Sequence, residues 1–318
     1  MLRAVTRTDA VLLDPTDAYP ELRDVRARLA AGDWESVRRM LDEVSPVGRT
    51  MLIRYAGTVA ESADDGVERL LREVLERDPT DAAAAAMLGT RLTDVGWRIR
   101  TQARAQDVSA EQFRQFREWL CAAEAVLIDG TARNPDDPAL WTVRLPSARG
   151  LEVGLAEVRR RFDRVVPNHL PAQRQMLQQL CPKWSGSWEL LHPWCHAQML
   201  ATPPGAPQGM LVAEGHIEHC FELPQGTRTD YLTSDSVRDE LYEAANRSIL
   251  HPEFGREFGW VQAVSTFAMV FSLIGDHRSA AAAFALLGEL ATEYPWDILG
   301  DPAEKVRHFR HEAQVGVR

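Results

Sequence analysis

Apolar side chains in this sequence recur three and four residues apart through most of its length, and that period restricts the chain to helices. "PELRDVRARLA" (20–30) is apolar at Leu22, Val25 and Leu29, and "DWESVRRMLDEV" (33–44) at Trp34, Val37, Met40, Leu41 and Val44. "DGVERLLREVLERDP" (65–79) places Val67, Leu70, Leu71, Val74 and Leu75 on one stripe before Asp-Pro stops it. "SAEQFRQFREWLCAAEAVLIDGTARNPDDP" (109–138) opens on a serine suited to cap a helix, with a glutamate two residues later. The same period continues through 151–165, 187–201, 207–222, 235–249, 257–274 and 277–293. No segment sustains the two-residue alternation of a strand, and "LWTVRL" (140–145) lies between helical runs. An all-α fold of roughly a dozen helices follows.

Three turns look alike: "AGDWESVRRMLDEV" (31–44), "SGSWELLHPWCHAQ" (185–198) and "IGDHRSAAAAFALL" (274–287). Each puts glycine, a small polar residue and then Trp or His before an apolar helix, and glycine at such a turn adopts a positive φ without strain. The last copy is the most complete. Val264, Phe267, Ala268 and Phe271 are spaced 0, 3, 4, 7, and Ala280 and Phe284 follow Gly275 by five and nine. That is the large, large, small, large, then glycine, then small and aromatic order of a tetratricopeptide unit. A partial second copy has Leu88, Gly89 and Leu92 on its first helix and Ala123, Leu127, Gly130 and Pro135 on its second. Gly89 and Ala123 are 34 residues apart where a tight repeat has about 12, so an insertion around "WRIRTQARAQDVSAEQF" lengthens that unit.

On these residues the chain resembles tetratricopeptide-like α-solenoids over most of its length, with the 260–295 unit the closest match. "KWSGSWELL…ATPPGAPQGMLVAEGHIEH" (183–219) is similar to an uncharacterised family of actinobacterial tetratricopeptide-like proteins. The likeness rests on its tryptophan–glycine turn, Pro-Pro-Gly connector and His-x-x-His helix. The resemblance implies a right-handed α-solenoid of degenerate helix pairs, and no activity. Residues 1–318 then read as a single solenoid. "TPPGAPQG" (202–209) is a helix–helix connector, and "ELPQGTRTDYLTSD" (222–235), the longest loop-like stretch, is the best candidate for a sub-division.

A net charge of −10 repels nucleic acid and anionic membranes, so neither is an expected partner. Two basic stretches, "RRR" (159–161) and "GWRIRTQAR" (96–104), fit solvated helix faces. The start, "MLRAVTRTDAVLLD", lacks the apolar core of a signal peptide, and no run reaches the ~18 apolar residues of a membrane span. With only Cys121, Cys181, Cys195 and Cys220 in the chain, the thiols read as reduced and the location as cytoplasmic. The leading expectation is therefore a cytoplasmic helical-repeat protein that holds a protein or peptide on its concave face. Trp184, Trp188 and Trp194, part of an unusual set of nine tryptophans, are candidates for partner contact, with buried packing as the alternative.

Residues 187–220 gather four histidines and two cysteines into 34 positions. Cys195 falls nine after Gly186, the inward position that Phe284 takes after Gly275, and Cys220 lies beside a core stripe, so both read as packing. The histidines behave differently. If 187–201 and 207–222 form an antiparallel hairpin closed around residue 204, His192 lies level with His216 and Glu189 level with His219. Glu189 and His192 share one helix face, and His216 and His219 another, at spacing i, i+3. Four such ligands suit zinc, iron or copper. The leading reading is nevertheless hydrogen-bonded histidines at a helix interface, with no cofactor expected; a polar partner-binding patch and the metal site are the alternatives. "HPWCH" is neither a haem-attachment nor a His-Glu-x-x-His motif. The chain also lacks a phosphate-cradling glycine loop and a Gly-x-Ser-x-Gly elbow, which leans the reading away from an enzyme and leaves catalysis open.

Overall fold

The computed structural model describes residues 10–58, 66–101 and 105–317. The first nine residues of the chain, Asp65 and the 102–104 part of the basic stretch lie outside the described residues. The fold is all-α. In chain order the helices are α1 (Pro15–Ala18), α2 (Pro20–Ala30), α3 (Trp34–Asp42), α4 (Pro46–Gly57), α5 (Val67–Arg77), α6 (Ala82–Arg100), α7 (Ala110–Arg133), α8 (Pro138–Gly150), α9 (Leu155–Phe162) and α10 (Leu170–Leu180). They continue with α11 (Trp188–Leu200), α12 (Gly209–Glu222), α13 (Arg228–Thr233), α14 (Asp235–Arg247), α15 (Trp260–Leu273), α16 (His277–Leu287) and α17 (Pro302–Gly316). The count exceeds a dozen because short helices such as α1 and α13 cannot display a period. Among the described residues there is no strand, only an isolated bridge between Leu12 and Leu290.

Two compact units divide the chain, one of Pro20–Gly186 and one of Met1–Tyr19 with Ser187–Arg318. The division falls at the Lys-Trp-Ser-Gly-Ser-Trp turn, whereas 222–235 lies inside one unit, folded into a 3₁₀ turn (Gln225–Thr227) and α13. Gly186 is required at that turn, because a Cβ there would overlap the Leu180 carbonyl.

In the unit Pro20–Gly186, aspartates and serines start α3, α4, α6, α7 and α8. Asp33, Asp81 and Asp137 each accept a hydrogen bond from an amide three residues on. Ser109 caps α7 as expected, but Gln112, not the neighbouring glutamate, closes the capping box. The long insertion becomes helix: α6 runs 19 residues and α7 runs 24, packed with Leu127 over Gly89, where a Cβ would overlap it. Arg161 of the basic 159–161 run turns inward instead of facing water. Its guanidinium meets Glu124 at 2.8 Å, and Glu124 also accepts from Arg144 at 3.2 Å and from Ser147 at 2.5 Å.

In the second unit, Leu12 pairs with residues 289 and 291, and Tyr19 stacks on Phe258 at 4.9 Å while its hydroxyl accepts from the Gly259 amide. α15 and α16 pack as a pair, and Val264, Phe267, Ala268, Phe271, Ala280 and Phe284 are all buried. Phe284 stacks on Trp296 at 5.9 Å under the Arg310 guanidinium, while Phe267 stacks on Phe271. The helix expected over 277–293 stops at Leu287, because Gly288 turns to φ +63° and the chain leaves to pair with Leu12.

Candidate metal centre

α11 and α12 form the expected hairpin, and their core side explains how closely they meet. Leu191, Cys195 and Met199 make the buried stripe of α11. Gly215 of α12 receives the Leu191 side chain, with Cys195 Sγ 3.5 Å and His192 Nδ1 3.8 Å from where its Cβ would stand. Pro193 lies inside α11 without ending it, and removes the amide that would have bonded the carbonyl four residues back. At the far end of α12, a Cβ on Gly209 would overlap the Ala244 carbonyl of α14, so α12 and α14 also meet backbone to backbone. Cys195 and Cys220 are buried, and burial pushes the Cys220 thiol up to about 11, which keeps it protonated.

On this frame His192 and His216, level by numbering, stack ring on ring at 4.5 Å. His192 Nε2 lies 2.9 Å from His219 Nδ1. The next element, α13, inserts Tyr231 among them. Its hydroxyl oxygen is 2.8 Å from His216 Nδ1, 2.9 Å from His219 Nδ1 and 3.5 Å from His192 Nε2. Three imidazole nitrogens therefore converge on one oxygen. From α14, Glu240 Oε2 takes the outer nitrogen of His216, Nε2, at 3.1 Å. One ligand atom each from His192, His216 and Glu240 lies within 4.8 Å of the others, the group of three or more His, Cys, Asp or Glu suited to an ion among the described residues.

His192, His216 and His219 come together and hydrogen-bond between elements, with His192 against His216 as the hairpin register places them. Glu189 does not join them. It is exposed on the first turn of α11, where the Ser187 hydroxyl and its own amide hold its carboxyl low, and His219 and His192 act on it only through their charge. The level position against His219 is taken by Trp188, which stacks flat on that ring at 4.3 Å. Trp184 belongs to the Pro20–Gly186 unit, edge-on to Trp97 at 5.5 Å with Arg100 and Arg149 over its ring. Trp194 is half-buried on α11. The three tryptophans thus have three different settings. His196 faces Glu243 at 3.1 Å, outside the cluster.

Electrostatics favour the neutral form of His192 and His219. Burial, then the neighbouring His216 and His219, draw His192 down to about 4, against the weaker pull of Glu240 and Glu189. Burial and His216 lower His219 as well. The hydrogen bond from His216 holds the Glu240 carboxyl below the usual carboxylate range, and burial with the nearby Glu240 raises the Tyr231 phenol. The proton pattern follows. His216 donates from Nε2 to the Glu240 carboxylate, which leaves its Nδ1 as the acceptor for the Tyr231 O–H, and one proton serves the His192–His219 contact. Neutral imidazole is the form in which histidine binds metal, and His192 and His219 both offer a lone pair to the shared point only once the proton between them moves to an outward nitrogen.

Tyr231 and Glu240 were not legible as members of this site. Tyr231 comes from the stretch that reads as loop, and Glu240 stands on an ordinary amphipathic helix. The only signal was their position directly after the histidine hairpin. Comparison of the chain with protein-family models, curated proteins and solved structures finds no match.

Proposed function

We propose that this protein binds a transition-metal ion through His192, His216 and His219. The observation that carries the reading is the convergence of three imidazole nitrogens within 3.5 Å of one oxygen position. Ligands about 2.0–2.1 Å from an ion stand about 2.9–3.4 Å from one another in octahedral or tetrahedral sites, and the His192 and His219 ring nitrogens, 2.9 Å apart, meet that spacing. Imidazole donors suit zinc, copper and iron, and Glu240 supplies the carboxylate that fixes a ligating ring from behind. The test is a calorimetric titration of the full chain, purified without a histidine tag, with Zn²⁺ and with Cu²⁺. Stoichiometric binding, lost in His216→Ala and His192→Ala and kept in His196→Ala, supports it. Equal binding by all four chains refutes it.

A second reading concerns the scaffold. The buried α15–α16 pair supports stacking of the helix pairs as a right-handed, degenerate tetratricopeptide-like solenoid, akin to the actinobacterial family, with a protein or peptide held on the concave face. Four free cysteines, and the absence among the described residues of any helix long and apolar enough to cross a membrane, support a cytoplasmic setting. Small-angle scattering from the full chain tests the solenoid: an elongated, curved particle supports it and a spherical one refutes it.

A further inference from the structure

The donor count leaves a question that three histidines do not answer, which is why a phenol stands at the centre of their lone pairs. We propose that Tyr231 is the oxygen ligand of the ion, bound as the phenolate; this rests on the metal reading above. The hydroxyl oxygen is already within 2.8–3.5 Å of all three nitrogens, so it occupies a vertex of the same donor polyhedron and does not shield it. An ion entering among the four atoms replaces two shared protons. The proton between His192 and His219 has another home on the same pair of rings, by tautomer exchange to an outward nitrogen. The phenolic proton has none. His216 Nδ1, its present acceptor, becomes a ligand, and His216 Nε2 already carries the proton held by Glu240. The O–H bond therefore breaks, a metal–oxygen bond forms, and one proton leaves to solvent for each ion bound. Charge also balances: the phenolate and the Glu240 carboxylate together offset a divalent cation in a partly buried site, where an uncompensated charge is costly.

Copper(II) as the chloride, added to the tag-free full chain, is the probe, because phenolate gives it a visible charge-transfer band that imidazole and carboxylate do not. The expected result is that band in the wild type, with one more proton released per copper, in weak buffer, than in Tyr231→Phe. Tyr231→Phe should lose the band and still bind copper, about tenfold or more weakly. Copper bound with no band, in a wild type whose binding is lost in His216→Ala, overturns the tyrosine assignment and leaves the three-histidine reading in place. A band of equal strength in Tyr231→Phe also overturns it, since another tyrosine would then be the source. A wild type that binds no copper overturns the tyrosine assignment, and one that binds neither copper nor zinc nor iron overturns the metal reading with it. The wild-type spectrum and proton count decide the matter even if the variant folds poorly.

Discussion

Acid should weaken the Pro20–Gly186 unit through one residue, His169. This side chain is 2% exposed, at the N-terminus of α10. Its Nε2 lies 3.0 Å from the Thr50 hydroxyl on α4, and its Nδ1 has no hydrogen-bond partner. Burial draws it from 6.5 down to about 4; Arg54 on α4 adds to that, and Asp137 at the start of α8 opposes it. A second ring proton would be both buried and unpartnered, which is why the folded state rejects it. The sign follows from proton counts. Between about 4 and 6.5 the unfolded chain binds a proton at this ring and the folded chain does not, so stability is complete above 6.5 and is lost as pH falls toward 4. That displacement corresponds to about 3 kcal/mol at the acid end. The assay is urea unfolding at pH 7.5 and at pH 4.5, for the wild type and for His169→Gln, whose neutral amide can still meet Thr50. His192 and His219, also held low, add losses of their own in the same window, so the quantity to read is the difference between the two chains. The variant should lose less stability on acidification, by on the order of 2–3 kcal/mol. Equal losses in both chains would show that His169 is not the group that makes the fold acid-sensitive.

Phe284→Ala should destabilise its unit by about 3–5 kcal/mol, since the ring is 4% exposed between Trp296 and Arg310; an unchanged melting temperature would show that the packing is misassigned. Glu124→Gln should cost about 3–5 kcal/mol in denaturant unfolding, because it leaves the buried Arg144 and Arg161 guanidiniums without their shared carboxylate. A neutral effect there would mean that water already screens the cluster. Gly209→Ala should be destabilising and should weaken any metal binding, because a methyl group would push α12 from the Ala244 carbonyl and carry His216 away from Glu240. Normal affinity in that variant would sever the link from helix contact to site.

Helices were legible wherever one face is buried. The stripe Leu22, Val25, Leu29 reads directly as α2, and the spacing of Val264, Phe267, Ala268 and Phe271 as the buried face of α15. Ends were less legible, because they depend on single backbone conformations: Gly288 stops α16, and nothing in the apolar pattern of 277–293 marks it. The division at Gly186 was hidden because the turn there resembles two turns inside the units. Within the candidate site, residue numbering gave which rings are level, and so paired His192 with His216. Rotation about each helix axis decides which side chains face inward, and it placed Trp188, not Glu189, against His219. Tyr231 and Glu240 reach the cluster through tertiary packing of α13 and α14, which no local pattern encodes.

Counting ions per chain decides whether the histidine cluster binds metal. Full-length chain without a tag is equilibrated separately against Zn²⁺, Cu²⁺ and Fe²⁺, freed of excess ion on a desalting column, and assayed by mass spectrometry for metal per chain. One ion per chain is expected for at least one of these metals, and none for a chain in which His192, His216 and His219 are all replaced by alanine while the helical circular dichroism is kept. A wild-type chain that retains none of the three metals, or a triple variant that retains as much as the wild type, would contradict it.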